Sequence, residues 1–562
     1  MTEKYTVLSP WAATTNHEKL PINPRLDTLE GKTIGLYASF KEYHPFFMQE
    51  VERQLPAQFP TAKFSHYTYI VDTQEIDQDA ENFPAFKAWL SGVDCVIGVG
   101  ADMGSCALYM GYIFAQIERL GKPACLLSKY QYINSASKGA SARSFPGLRV
   151  VTYDGPGFVP NGVDCNEWTI ATYRNTIAEM LPKMVDALTV PLTEEEKHPR
   201  TPENYADKTF TGTYEELNNL FYAHGWTNGT PIKLPTEEAV AEMCRGTDLP
   251  RDHVVAVLAP LNGQATVEKI AINGLLAGCT PTMMPILIAI AQGMGNHDVI
   301  KLEGWTCSNA GWLPAIVISG PIRNAIGINS GRNFLSAYTR PQACIARAMA
   351  YMIMNISGVR MQQEDMSGPG SDSRFGLCIA EDEENLPEQW KTLPAELGGE
   401  DGENAVTLFW PSEHHQLPVF NISACLERLC SLWHGGFDVG FMITLPPESA
   451  KQFADAGWSR QDILNYVKEY NRRPSSEIPR AAIGNNHPRK GLIFPAPGLV
   501  HSAPLLWNTE HSFVMVAGRD WGMAYLGGGD HGGPICQGVA LPKDWDELCE
   551  KYPGNLPTYL DY

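Results

Sequence analysis

The chain has 562 residues, 44% apolar and 19% charged, with 63 acidic against 43 basic side chains. A net charge of −20 and a pI near 5.2 set aside nucleic acid and anionic membrane surfaces as partners. No run reaches the roughly 18 apolar residues of a spanning helix, and "MTEKYTVLSPWAATTNHEKL" lacks the pattern of a signal peptide, so a cytoplasmic protein of two or more domains is expected.

The first ~190 residues alternate between strand and helix patterns. "KTIGLYASF" (32–40), "AKFSHYTYI" (62–70), "DCVIGVG" (94–100), "PACLLS" (123–128) and "LRVVTYD" (148–154) read as strands. Between them "HPFFMQEVERQL" (44–55), opened by Pro45, "FPAFKAWLSG" and a segment from about Ser105 to Leu120 read as helices. Nearly all-apolar strands alternating with helices predict an α/β domain over 1–190: a parallel sheet covered on both faces. Ligands in such folds bind outside the carboxyl ends of the strands, where 98–106 falls. "PLTEEEKHPRTPENYAD" (191–207) reads as a linker.

Residues 208–562 predict a larger mixed α/β domain. "TGTYEELNNLFYAHGW" carries a capping-box pattern. "ATVEKIAINGLLAG" and "TPTMMPILIAIAQGMG" read as two helices broken at Cys279, with Thr280 as cap and Pro281 in the first turn. "PAIVISGP" and "HSFVMVAG" read as buried strands, "RPQACIARAMAYMIMNISG" as a buried helix and "DILNYVKEYNRRP" as a surface helix.

Thirteen cysteines are scattered without any C-x-x-C; the closest pair is Cys425 and Cys430. That spacing is neither a disulfide framework nor a zinc site, and most of these thiols should be small buried hydrophobes.

"GVGADMGSCALYMG" (98–111) is the informative stretch. As a dinucleotide cradle it fails on spacing: Gly98, Gly100 and Gly104 give G-x-G-x-x-x-G, the next strand ends without an acid, and Asp102 would repel a pyrophosphate. No nicotinamide, flavin or zinc requirement follows from the sequence. As a thiol site it places Cys106 in the first turn of a helix, where backbone N–H groups and the dipole favour a thiolate. Gly104 permits close approach, and Ser105 is a candidate cap or donor to the sulfur. Against this, Cys106, Met110, Ile113 and Ile117 share a helical face that could be plain core, and an ionised Asp102 would oppose the thiolate.

Other candidates lie in the second domain. His501, and Asp530-His531 among neighbouring glycines, are acid/base candidates; His414-His415 reads as a solvated pair. Arg323, Asn329, Ser330 and Arg332, followed by Arg340, offer forks for an anion, with surface salt bridging as the alternative. "MSGPGSDSRFG" (366–376) is a loop that could cover a site, and Cys279 and Cys307 sit near helix or strand ends.

"GADMGSC" after a strand, followed by a helix ending "IERLGKPACLL", resembles the UGSC-type selenoprotein family, as do "RLDTLEGKTIGLY" (25–37) and "ASARSFPGLRVV" (140–151). The resemblance spans most of 25–155 and extends distantly to the selenoprotein subunits of glycine and D-proline reductases. Residue by residue, it puts Met103 at the selenocysteine position and Cys106 at the cysteine position, so the selenium–sulfur couple that the family implies is lost. What remains is a thiol-dependent enzyme, lyase-like or redox, that makes or breaks a carbon–heteroatom bond in a small anionic substrate. The alternatives are a redox protein pairing Cys106 with a distant cysteine, and a non-catalytic binding protein. The shared site is expected in a cleft where Cys106 faces Arg323, Asn329, Arg332, His501 or His531, within one chain or across a homo-oligomer.

Overall fold

The computed structural model describes residues 3–39, 44–69, 75–153, 167–299, 301–309, 311, 313–368, 370–371, 374–418, 421–432, 440–474, 502–504, 509–520, 522–527 and 533–557. The chain opens with a short strand, β1 (Tyr5–Leu8), and then builds the expected alternation. In order come β2 (Thr33–Ala38), α1 (His44–Gln54), β3 (Lys63–Thr68), α2 (Phe83–Ser91), β4 (Cys95–Ala101) and α3 (Gly104–Arg119). They are followed by β5 (Ala124–Lys129), α4 (Ile133–Ala142), β6 (Arg149–Tyr153) and α5 (Glu167–Thr189).

Five of these strands form one sheet in the order β3-β2-β4-β5-β6, with every neighbour pair parallel. The predicted parallel sheet with "DCVIGVG" at its centre is therefore the observed one. Its two apolar faces are covered separately. Phe47, Met48 and Val51 of α1 join Ile177, Met180 and Met184 of α5 over Ile34, Leu36, Ile97 and Leu127. On the other face, Phe86 and Leu90 of α2 meet Ala107, Met110 and Phe114 of α3 and Ala136 and Ala140 of α4.

Fourteen of the 16 residues of α3 are buried, because its outer face is covered too. Leu108, Tyr109 and Tyr112 join the core of the second unit, alongside Ile272, Leu276 and Met349. A helix apolar all round its circumference must be enclosed on all sides, and this one lies between the sheet and the rest of the chain.

The second unit is mixed α/β, as the sequence predicts. One four-stranded sheet runs in the order Leu377–Ala380, Ala315–Ser319, Ala405–Phe409, Ile535–Gly538, with only the first pair parallel. A second sheet combines Glu413–Pro418, Gly522–Gly527, Phe441–Leu445 and Phe513–Val516, and His414 and His415 are exposed on its edge strand. The helices Val267–Ala277 and Met284–Met294 are joined through Gly278 at φ +93° and a turn over Pro281–Met283. The capping box at Thr213 and Glu216 is formed, and "DILNYVKEY" lies within the helix Arg460–Tyr470.

The N-terminal tail crosses to this second unit. β1 pairs antiparallel with Thr209–Gly212, and the buried Lys269 ammonium donates to the Ser9 (2.9 Å) and Ala206 (2.6 Å) carbonyls. Within 191–207 a short helix, Glu194–Lys197, has its own capping box, and Glu196 is paired with Arg149 of β6. Among the described residues, no helix is long and apolar enough to cross a membrane.

Candidate functional site

Counted within the sheet, the strands run in the order 2-1-3-4-5. The order of the strands therefore reverses between β2 and β4, the kind of position at whose carboxyl ends parallel sheets bind ligands. Everything that follows β2 and β4 meets there. Ser39 comes directly after β2, His44 opens α1, and Asp102 comes directly after β4. Ser39 Oγ stands 2.6 Å from His44 Nδ1, and His44 Nε2 stands 3.1 Å from Asp102 Oδ2. All three side chains are buried.

This Ser39–His44–Asp102 chain is absent from the sequence reading, which singled out Asp102 alone. A histidine between a hydroxyl and a carboxylate has both ring nitrogens committed. With the proton on Nε2 it donates to Asp102 while Nδ1 accepts from Ser39. Burial, with the charge of Asp102 nearby, holds the Tyr153 phenol well above its ordinary range. The strand end itself is irregular: the β4–β5 register shifts between Val99 and Ala101, and Ser128 Oγ ties the Ala101 carbonyl at 2.9 Å. Bulges of this kind re-aim the residues that follow.

The three glycines serve packing. A Cβ at Gly98 would strike Phe114 and Tyr37, and one at Gly100 would strike Met110. At Gly104 it would come within 2.6 Å of both Asn309 Oδ1 and the Cys307 carbonyl. The close approach that Gly104 permits is thus made by the second unit.

Cys106 is the third residue of α3, as expected, and buried at 7% exposure. It differs from the other buried cysteines. Cys95 and Cys125 pack in the core under α1 and α5, Cys279, Cys307 and Cys378 in the second unit's core, and Cys425 under the second sheet. Cys106 is itself buried, and Met110, Ile113 and Ile117 of its helical face lie in the core over the sheet, although Cys106 is not among the residues of the apolar clusters described above. Burial pushes the other eleven described thiols up, to about 11 at Cys244 and Cys430 and about 12 at Cys95, Cys125 and Cys425. Among the described residues no cysteine is in a disulfide, and no group of three or more His, Cys, Asp or Glu could hold a metal ion.

Ser105 is not the cap. Met103 occupies the N-cap position with extended backbone (φ −146°, ψ 160°) and offers no capping bond. The acceptor comes from a distance: Asn309 Oδ1 takes the Gly104 N–H at 2.7 Å, and Asn309 Nδ2 donates to the Tyr132 hydroxyl at 3.0 Å. From below, Ser135 Oγ donates to the Gly104 carbonyl at 3.0 Å.

The remaining candidates are placed elsewhere or engaged. Arg323 is buried against Glu383 and Glu384, at 3.3 and 2.8 Å. Arg332 pairs with Asp520 at the surface, Asn329 holds the turn through the Arg332 carbonyl and the Gly331 N–H, and the Ser330 carbonyl accepts from the Gly518 N–H. Arg340 is exposed at the start of its helix, and Cys279 is enclosed at the junction between helices. His501, Asp530 and His531 lie outside the described residues. The loop at 366–376 does reach this region: the Gly368 N–H donates to the Asn309 carbonyl, and Arg374 donates to the Thr306 carbonyl.

No curated protein and no solved structure matches the chain. Residues 6–190, which contain the whole parallel sheet and the Cys106 turn, match the model of the UGSC family.

Proposed function

We propose that the protein is a thiol-dependent enzyme in which Cys106 is the nucleophile toward a small anionic substrate at the carboxyl edge of the parallel sheet. The observation that carries this reading is the position of Cys106. It sits in the first turn of α3 at the point where the sheet reverses, outside the apolar clusters that hold the six other buried cysteines. The first turn of a helix favours both a thiolate and an anionic ligand group.

The His44–Asp102 pair supplies the acid–base chemistry and answers the objection that Asp102 would oppose the thiolate. Its carboxylate is hydrogen-bonded to an imidazole able to hold a proton. In the reaction, the Cys106 sulfur bonds to an electrophilic carbon while its proton passes to the imidazole–carboxylate pair. That proton is returned to the heteroatom as the carbon–heteroatom bond breaks. Water then displaces the Cys106 sulfur from the carbon, its proton passing through the same pair back to the thiolate.

The test is iodoacetamide labelling of the full chain at pH 7, with the modified cysteines mapped by mass spectrometry over time. Cys106 should be alkylated first, against a background of the eleven other thiols among the described residues, which burial holds protonated. Labelling of Cys106 no faster than theirs would overturn the reading. A recovered disulfide between Cys106 and Cys307, whose carbonyl lies against Gly104, would favour a redox role instead.

A further inference from the structure

Helix α3 begins on a methionine, a residue with no acceptor to give to the unpaired N–H groups of the first turn. The missing acceptor is Asn309, 205 residues further along the chain. It is held on three sides: its Nδ2 donates to Tyr132 of the N-terminal domain, its carbonyl accepts from the Gly368 N–H, and Arg374 fastens the Thr306 carbonyl just before it. Gly104 leaves the room this needs, since a side chain there would displace both Asn309 and the Cys307 backbone.

From this geometry we infer that Asn309 is a positioning residue for Cys106, through which the second unit sets the reactivity of the thiol. This rests on the thiol reading above. The carbonyl end of the Asn309 amide is the negative end of a dipole, and it is fixed at the helix terminus whose positive potential favours the thiolate two residues on. Its presence orders the turn and moderates that potential; a charge at the same place would cancel it.

The test is the pH dependence of Cys106 alkylation by iodoacetamide in the full chain, read as the midpoint of the rate profile, with folding followed by circular dichroism. Asn309→Asp puts a carboxylate against the Gly104 N–H and should raise the midpoint by about one pH unit. Asn309→Ala removes the amide dipole and should lower it. Tyr132→Phe, at a half-buried position, frees Asn309 Nδ2 without changing any charge and should lower it less. A purely structural role would speed labelling in all three variants at one common midpoint, and that result would overturn the inference. Failure of the thiol reading is distinguishable, because wild-type Cys106 itself would then label no faster than the buried cysteines.

Discussion

His44 Nε2 lies 3.1 Å from Asp102 Oδ2, with the two side chains 0% and 1% exposed, and the pair joins the start of α1 to the end of the central strand. Ions or dipoles this deep persist only when each satisfies the other.

Breaking that pair should therefore show in two readouts. His44→Ala leaves the Asp102 carboxylate without its imidazole and should cost about 3 kcal/mol in urea unfolding. Asp102→Asn preserves shape and should cost about 1 kcal/mol. Because it weakens the acid–base pair, it should also slow any turnover. Equal stability of the His44→Ala variant and wild type would show that the pair is not coupled.

Gly104 and Gly121 make a controlled comparison. A Cβ at Gly104 meets the Cys307 backbone carbonyl, which cannot rotate away, so Gly104→Ala should lower stability by about 2 kcal/mol. Gly121 has φ +86° and nothing within 4 Å, so Gly121→Ala should cost only the backbone strain, about 1 kcal/mol. Thermal unfolding should order the variants wild type, Gly121→Ala, Gly104→Ala, and the reverse order would refute the close approach of the second unit.

Acid titration tests the attachment of the 191–197 segment. The hydrogen bond from Arg149 holds the Glu196 carboxyl down at about 2, and the two side chains are 15% and 17% exposed. The folded-state value lies below the unfolded one, so the contribution is fully present above about pH 4.5 and is lost as the pH falls toward 2. Glu196→Gln should be less stable than wild type by on the order of 2 kcal/mol at pH 6, with the gap closing by pH 2. A gap independent of pH would mean that the ion pair contributes nothing.

Arg323 should behave as a structural residue. Its guanidinium is 4% exposed and bonded to Glu384 at 2.8 Å, so Arg323→Ala should cost about 3 kcal/mol and leave the labelling rate of Cys106 unchanged. A slower or faster Cys106 with unaltered stability would restore Arg323 as a ligand residue.

The sequence by itself determined the layout of the N-terminal α/β domain and the place of its cysteine. Near-continuous apolar strands such as "DCVIGVG" can only sit in a sheet covered on both faces, and a glycine-rich turn between such a strand and an apolar helix fixes Cys106 in the first turn. Local periodicity carries that information because it acts over a few residues. Only the tertiary structure decided what surrounds the thiol. Ser39 and His44 come from the neighbouring strand's end, and their meeting with Asp102 depends on strand order, which no local pattern encodes. Arg323 read as an anion clamp because its partners Glu383 and Glu384 lie 60 residues away, and Ser105 read as a cap because Asn309 lies 205 residues away. Long-range pairing of polar groups is set by how whole layers pack, and a chain read residue by residue shows the groups but not which of them burial will bring together.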